Sequence, residues 1–170
     1  NGQREQPFKG EDRLIIPSAK VPTYDLKPEM AAFEIADAVL RHLASNIYGF
    51  MFINFANPDM VGHTGVFDKA VRACEVIDVC IGKIVQKVLE LRGTCIITGD
   101  HGKVEEMKNR ETAGVLTEHT KNPVPAIFIH ASFKPTKMPM GILADVAPTC
   151  LYVLDIPKPP EMTGKNLLAN

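Results

Sequence analysis

The stretch Thr94-Cys95-Ile96-Ile97-Thr98-Gly99-Asp100-His101-Gly102 joins a short apolar run to a carboxylate and an imidazole. The apolar run predicts a strand over residues 94–98. Gly99 and Gly102 flank the polar pair and free the backbone where the strand ends. This stretch therefore predicts a buried strand whose end carries side chains suited to binding a ligand.

Helices are predicted on both sides of this strand. Apolar residues recur at three- and four-residue steps from 66 to 91, and Gly93 is placed to end that helix. A similar stripe predicts a helix over 28–45, with Pro28 as its first residue. A last helix is predicted over 143–154.

Further strands are predicted from short apolar runs. The run over 50–55 is typical of a strand buried on both faces, the segment 124–130 has strand character, and residues 14–16 offer at most a short strand. Strands that alternate with helices favour an α/β fold, with a mostly parallel sheet, right-handed crossovers and helices on both faces. In such a fold, ligands bind beyond the carboxyl ends of the strands.

Three polar motifs fall at this predicted edge. Asp59 and His63 lie four residues apart in a loop that contains Gly62, and can turn onto one ion if the loop folds back there. His119 completes a set of one carboxylate and two imidazoles. Without a thiolate, this set suits Mn²⁺, Zn²⁺ or Fe²⁺ better than Ca²⁺ or a structural zinc site.

Asp100 and His101 are adjacent, so on a regular strand their side chains would point to opposite faces. At a strand end flanked by glycines, the pair can instead hold a second ion or bridge the two ions. Two ions about 3.5 to 4 Å apart would clamp the entering and leaving oxygens of a phosphoryl transfer.

A structural interpretation of each motif alone stays open, because aspartate and histidine are common in loops. The coincidence of three motifs at one predicted edge favours a metal site. His42 and His130 have no such neighbours and are interpreted as structural. Residues 103–106 are expected to form a solvated loop.

Composition limits the class of protein. The chain has 170 residues, 45% of them apolar, and a formal net charge of −1, which excludes a disordered polymer and gives no basic surface for nucleic acid. No apolar run reaches the roughly 20 residues that cross a bilayer, and no signal sequence stands at the start. We expect neither nucleic acid nor a membrane as a partner.

The four cysteines lie in apolar runs and form no CxxC pair. Such cysteines usually behave as small buried hydrophobes, so we interpret all four as reduced core residues of a cytoplasmic protein, with disulfides as the alternative. None is expected to bind zinc. They are Cys74, Cys80, Cys95 and Cys150.

Several motifs resemble those of the cofactor-independent phosphoglycerate mutases, which belong to the alkaline phosphatase superfamily. The resemblance spans nearly the whole chain. The matching stretches are Arg4–Phe8, Thr23–Met30, Asn57–Gly65, Thr98–Gly102, His119–Pro125, Leu143–Thr149 and Glu161–Lys165.

The resemblance implies a three-layer, alkaline-phosphatase-like fold and an isomerase that interconverts 3-phosphoglycerate and 2-phosphoglycerate, in glycolysis and gluconeogenesis, through a phosphoserine. It implies two metal ions, commonly Mn²⁺, with other divalent metals possible. By resemblance Asp59, His63 and His119 hold one ion, while Asp100 and His101 contribute to the other. It further implies a monomeric, cytoplasmic enzyme with phosphoglycerate as its substrate.

The resemblance also implies that residues 1–170 are the C-terminal part of the metal-binding domain. The chain begins at Asn1 without a methionine, and the family's nucleophilic serine, remaining metal ligands and phosphotransferase domain have no counterpart in it. Ser18, Ser45 and Ser132 do not lie next to the metal motifs. We therefore expect the chain alone to bind one ion or none, and to be inactive.

Two positions depart from the family pattern. Lys103 stands where the family commonly has asparagine after Asp-His-Gly, and its ammonium group would repel a nearby cation unless it points to solvent, as we expect. Gln3 stands where the family usually has glycine, so this turn is expected to differ in detail.

Two other functions remain open from the sequence. The ligand set also suits another metal-dependent phosphatase, phosphodiesterase or sulfatase of the same superfamily, because the metal ligands do not specify what the phosphate or sulfate is attached to. The chain could also be a noncatalytic domain that keeps the fold without an active site. A substrate panel and the mass of the native protein would separate these alternatives.

Overall fold

Helices alternate with short extended segments in the computed structural model, which describes residues 6–169 except 110, 111, 113 and 135. Single turns of 3-10 helix occupy Tyr24–Leu26 and Leu143–Asp145. The predicted α/β class is confirmed. Within the described residues the α-helices and strands are α1 Ala32–Ser45, α2 Asn57–Gly62, α3 Phe67–Glu90, β1 Cys95–Thr98, β2 Ala126–Ile129 and α4 Val146–Val153.

Helix α1 begins four residues later than predicted. Met30 has a left-handed backbone (φ 45°), which interrupts the helical path after Pro28. The carbonyls of Pro28 and Glu29 accept hydrogen bonds from the Asn57 side chain at 2.8 and 2.9 Å. These residues therefore form turns that dock onto α2 instead of a first helical turn.

Helix α3 matches its predicted range closely, and its end differs in one detail. Arg92, not Gly93, takes the left-handed conformation after the helix (φ 56°). The Gly93 N–H donates to the Val88 carbonyl at 2.8 Å, and a Cβ at Gly93 would approach Val88 Cγ1 to 3.0 Å. Gly93 is thus needed for a close approach to α3.

The main core lies between α1 and α3. Small residues let the two helices approach closely, and they are covered by larger apolar side chains from the same helices and from residues 53 and 55. The buried members of this core are Ala32, Ala36, Val76, Cys80 and Ile84. A second cluster around Val61 and Ala73 fixes α2 on α3.

The β1–β2 ladder is antiparallel, whereas the sequence analysis expected mostly parallel pairing. Cys95 pairs with Ile129 and Thr98 with Ala126. A parallel neighbour requires a crossover, usually a helix, and no helix occurs in the described part of residues 99–125. The irregular connection between β1 and β2 instead lets β2 run antiparallel to β1.

Residues 50–55 are extended but form no ladder with other described residues. Ile53 and Phe55 pack on the core between α1 and α3, while Phe50 and Phe52 are 57% and 80% exposed. The prediction of a strand buried on both faces was wrong, because only the α1–α3 layer covers this segment in the described chain. The short strand predicted at 14–16 is also absent, and Ile15 is exposed.

None of the four cysteines forms a disulfide. Cys80 is buried and its thiol donates to the Ala32 carbonyl, while the other three are half-buried. Burial raises the pKa of all four thiols. They are therefore protonated and poorly nucleophilic at neutral pH.

A buried polar network fixes the C-terminal segment on α4. The Asp145 carboxylate accepts the backbone N–H groups of Lys165 at 2.6 Å and Ile142 at 2.8 Å. The Thr149 hydroxyl, which is fully buried, donates to the Asp145 carbonyl and accepts the N–H of Leu167. No described helix is long and apolar enough to span a membrane.

We expect Asp145→Asn to reduce stability in a pH-dependent way. The backbone N–H groups of Lys165 and Ile142 lower the pKa of Asp145, so its carboxylate stabilises the fold above the unfolded pKa of about 3.9 and loses that effect as the pH falls through the lower folded value. Urea unfolding of both proteins from neutral pH to about pH 3 measures this, and their difference should shrink at the acid end. Asp78→Asn, on an exposed part of α3, serves as the control, and a difference that stays constant with pH would contradict the prediction.

Candidate metal centre

Helix α2 carries the first two predicted ligands on one face. Asp59 and His63 are one turn apart, His63 being the residue that caps the helix, and the His63 N–H donates to the Asp59 carbonyl at 3.0 Å. Helical spacing, not a loop folded back at Gly62, brings these side chains together. Buried Asn57 and Val61 fix the helix and hence both ligands.

Three ligand atoms from Asp59, His63 and His119 form a small triangle. Asp59 Oδ1 lies 3.2 Å from His63 Nε2 and 3.2 Å from His119 Nε2, and the two Nε2 atoms are 3.3 Å apart. Two ligand atoms that are each about 2.1 Å from an ion, at right angles, lie about 3 Å apart. The triangle therefore has the dimensions of one face of a coordination shell.

The Asp59 carboxylate oxygen at this triangle is otherwise unsatisfied. Asp59 Oδ1 is buried and accepts no hydrogen bond from the described residues, although both imidazoles lie within ion-pair distance. An unsatisfied buried oxygen is costly. A divalent cation between the three side chains would satisfy it, so the donor set fits a metal.

His101 lies beside the triangle. Its ring stacks on that of His119, with centroids 3.7 Å apart and planes inclined by 13°. One ligand atom each from Asp59, His101 and His119 lies within 4.8 Å of the others. His101 Nδ1 is also buried and has no hydrogen-bond partner among the described residues.

Asp100 is the predicted ligand that stands apart. Its side chain is 89% exposed, and its Oδ1 lies 3.7 Å from His101 Nε2. The structure thus brings Asp59, His63 and His119 together and places His101 against them. The assignment of Asp100 and His101 to a second ion stays a prediction.

Lys103 is buried, contrary to the expectation that it points to solvent. It is 3% exposed, and its Nζ donates to the carbonyl of Leu116 and, at 3.2 Å, to that of Glu118. Two carbonyl partners offset the cost of burying the ammonium group. In the sequence, only the departure from the family's asparagine singled out Lys103, and nothing indicated that it would be buried.

Glu105 joins the two loops that carry His101 and His119. Its carboxylate accepts hydrogen bonds from the Thr120 hydroxyl, the Asn122 amide at 3.0 Å and the Lys103 N–H at 2.7 Å. Burial raises the pKa of Glu105, but these hydrogen bonds outweigh it and hold the pKa below its usual value. Glu105 is therefore an ionised residue of an irregular segment, exposed as expected, whose carboxylate bonds both loops.

A backbone bridge completes this junction. The Thr120 N–H donates to the Gly102 carbonyl at 2.8 Å. A Cβ at Gly102 would overlap the Thr120 hydroxyl and the Glu105 carboxylate. Glycine at this position thus permits the close approach of the loops that present His101 and His119.

The other notable histidines and the Gln3 position do not contribute to this centre. His42 makes an edge contact with Tyr48, and His130 Nδ1 lies 2.7 Å from the Ser132 hydroxyl. Gln3 lies outside the described residues. An open cleft of about 1840 Å³ begins at Asp100 and His101 and runs along β2, and its lining includes Lys121, Lys134 and Lys137.

The class of protein follows from these features together with a family comparison. A family model described as the Metalloenzyme superfamily matches residues 1–158. The chain therefore belongs to the metalloenzyme superfamily, in agreement with the unsatisfied carboxylate and the imidazoles around it.

More specifically, the chain is similar to 2,3-bisphosphoglycerate-independent phosphoglycerate mutases. It is 52% identical over 172 residues to the protein of that name from Thermomicrobium roseum and 53% identical over 169 residues to that from Clostridium tetani, covering 99% of this chain and 33% of the relative in each case. The resemblance found in the sequence motifs is confirmed. The chain spans about a third of the length of the curated relatives it matches.

A solved structure gives the same result. The phosphoglycerate mutase of Leishmania mexicana, crystallised at low cobalt concentration, matches 100% of this chain and 34% of its own, with a TM-score of 0.88 and 30% identity. The arrangement of the described elements is therefore that of part of a phosphoglycerate mutase, consistent with an incomplete alkaline-phosphatase-like fold.

Proposed function

We propose that this chain is the metal-binding part of a phosphoglycerate mutase that interconverts 3-phosphoglycerate and 2-phosphoglycerate. The observation that carries the proposal is the triangle of Asp59 Oδ1, His63 Nε2 and His119 Nε2, with sides of 3.2 to 3.3 Å. The names of the relatives supply the reaction, and the presence of cobalt with the Leishmania mexicana enzyme is consistent with a divalent metal.

In this proposal, Asp59, His63 and His119 hold one divalent ion. His101 and Asp100 contribute to a second, with His101 turning from its stack on His119 and Asp100 from solvent. When bound, divalent ions neutralise the charge on a transferring phosphoryl group. The lysines along the cleft would attract the phosphate ester toward the centre.

The finer features expected from the sequence belong to the same proposal. The metal is manganese, the whole enzyme is a cytoplasmic monomer of glycolysis and gluconeogenesis, and residues 1–170 form the C-terminal part of its phosphatase-like domain. The high identity to relatives of that name supports these assignments, because orthologous enzymes usually share them.

We further propose that the isolated chain binds at most one ion and does not catalyse the interconversion. The hydroxyl of Ser45 donates to the His42 carbonyl and that of Ser132 lies 2.7 Å from His130 Nδ1, so among the described residues neither is hydrogen-bonded to Asp59, His63 or His119.

Calorimetric titration with Mn²⁺ and a coupled mutase assay test this function. The isolated chain should bind at most one Mn²⁺ per chain and show no turnover, whereas the full-length protein should bind two and interconvert the phosphoglycerates. Turnover by the isolated chain would contradict its inactivity. Hydrolysis of simple phosphate esters by the full-length protein, without interconversion, would overturn the mutase assignment.

A further inference from the structure

The side chain of Lys103 reaches the segment that precedes His119. Its Nζ donates to the carbonyls of Leu116 and Glu118. The Glu118 carbonyl belongs to the peptide group whose nitrogen is that of His119. Fixing this carbonyl fixes the plane of the peptide before His119, and the hydrogen bond from the Thr120 N–H to the Gly102 carbonyl fixes the plane of the peptide after it. The two planes together set the direction in which the His119 side chain leaves the backbone.

Lys103 is itself held from two directions. Its backbone N–H donates to Glu105 Oε2 at 2.7 Å. Its stem packs against α2, because a Cβ added at Gly62 would lie 3.3 Å from Lys103 Cγ. Lys103 therefore connects the helix that carries Asp59 and His63 with the segment that carries His119.

The segment that precedes His119 contains little regular secondary structure. In the described part of residues 103–118 the only pairing is the isolated bridge between Lys108 and Val115. The Leu116 N–H donates to the Met107 carbonyl at 2.9 Å, and the Thr120 N–H to the Gly102 carbonyl at 2.8 Å. From Leu116 to Thr120, the other described hydrogen bonds to the backbone are the two that the Lys103 side chain donates.

We propose that Lys103 is a positioning residue that places the His119 imidazole at the metal centre by binding the carbonyls of Leu116 and Glu118. The inference rests on the proposed metal-binding function and adds a residue to it. A buried lysine with a purely structural role would stabilise the fold, whereas a positioning residue also sets metal affinity at temperatures where the protein is fully folded.

Lys103→Met tests the proposal in the full-length protein that carries this chain. Methionine keeps an unbranched stem of similar length but lacks the donors. We expect Mn²⁺ affinity, measured by calorimetry well below the melting temperature, to fall at least 10-fold. Lys108→Met, at an exposed lysine of the same loop, is the control and should bind Mn²⁺ within about twofold of the unsubstituted protein.

Hydrogen exchange without metal provides an independent measurement. In Lys103→Met, the amides of Leu116 and Thr120, whose N–H groups are hydrogen-bonded, should exchange at least 10-fold faster, while those of α1 and α3 stay unchanged. Unchanged exchange at Leu116 and Thr120, or Mn²⁺ affinity within twofold of the unsubstituted protein, would overturn the proposal. If Lys103→Met does not fold, Lys103→Gln is measured in the same way with the same expected direction.

The two measurements separate this inference from the proposed function. If the unsubstituted full-length protein binds no Mn²⁺, the proposed metal centre fails. The exchange rates of Leu116 and Thr120 then still decide whether Lys103 positions this segment. If the unsubstituted protein binds Mn²⁺ and Lys103→Met binds it equally well, only the role of Lys103 fails.

Discussion

Asp59→Asn is expected to weaken Mn²⁺ binding by the full-length protein by about 100-fold or more, because even loss of a group that only orients a ligand costs 10- to 100-fold. The substitution keeps the shape of the side chain but removes the one carboxylate in the triangle with His63 and His119. Asp59 Oδ1 is buried and lies 3.2 Å from both imidazoles. Calorimetric titration measures the affinity, and mutase activity at limiting Mn²⁺ should fall with it.

The stability of the protein offers a second readout for the same substitution. An ion that binds only the folded state raises the melting temperature in proportion to the logarithm of its concentration over Kd. Mn²⁺ should therefore raise the melting temperature of the unsubstituted protein and of the control Asp78→Asn by equal amounts, and that of Asp59→Asn by less. Equal Mn²⁺ stabilisation of all three proteins would show that Asp59 is not a ligand.

Replacing single histidines should separate two possible ligand sets. His63 and His101 both lie close to Asp59 and His119, but only the Nε2 atom of His63 makes the tight triangle with them. His63→Ala is therefore expected to weaken the tighter Mn²⁺ site about 100-fold, whereas His101→Ala should change that site less than 10-fold and abolish the weaker one. Titrations of the full-length protein resolve the two sites.

His130→Ala is the matched control, because His130 lies in the cleft and bonds Ser132. It should leave both Mn²⁺ sites unchanged. The opposite result, a tighter site that survives His63→Ala and is lost in His101→Ala, would assign the first ion to the cluster of Asp59, His101 and His119. The close contact of His63 with Asp59 and His119 would then occur only in the metal-free protein.

Much of the helical structure can be predicted from the sequence, and so can the proximity of Asp59, His63 and His119, whose role as metal ligands stays a prediction. The apolar stripe over 66–91 is long enough to define α3 nearly to the residue, because 3.6-residue periodicity over many turns has few alternatives. Asp59, His63 and His119 were predicted from residue type and from their places after or before apolar runs. The prediction relied on strand ends that meet at one edge of a sheet, whereas in the structure helix α2 presents Asp59 and His63, and the segment before β2 carries His119.

Other features depend on contacts that the sequence does not display. Residues 50–55 have strand composition, but whether a strand forms depends on a neighbouring strand, and the described chain supplies none. Lys103 is usually a surface residue type, and its burial depends on two carbonyls 13 and 15 residues further along the chain. Backbone acceptors of this kind carry no sequence signature.

The exposed phenyl rings of Phe50 and Phe52 make the behaviour of the chain in water depend on its concentration. Every encounter between two such molecules can remove aromatic surface from water, and that gain grows with the number of molecules per volume. The fraction of molecules that associate is therefore expected to rise with protein concentration. Buffer additives that compete for aromatic surface would weaken such encounters.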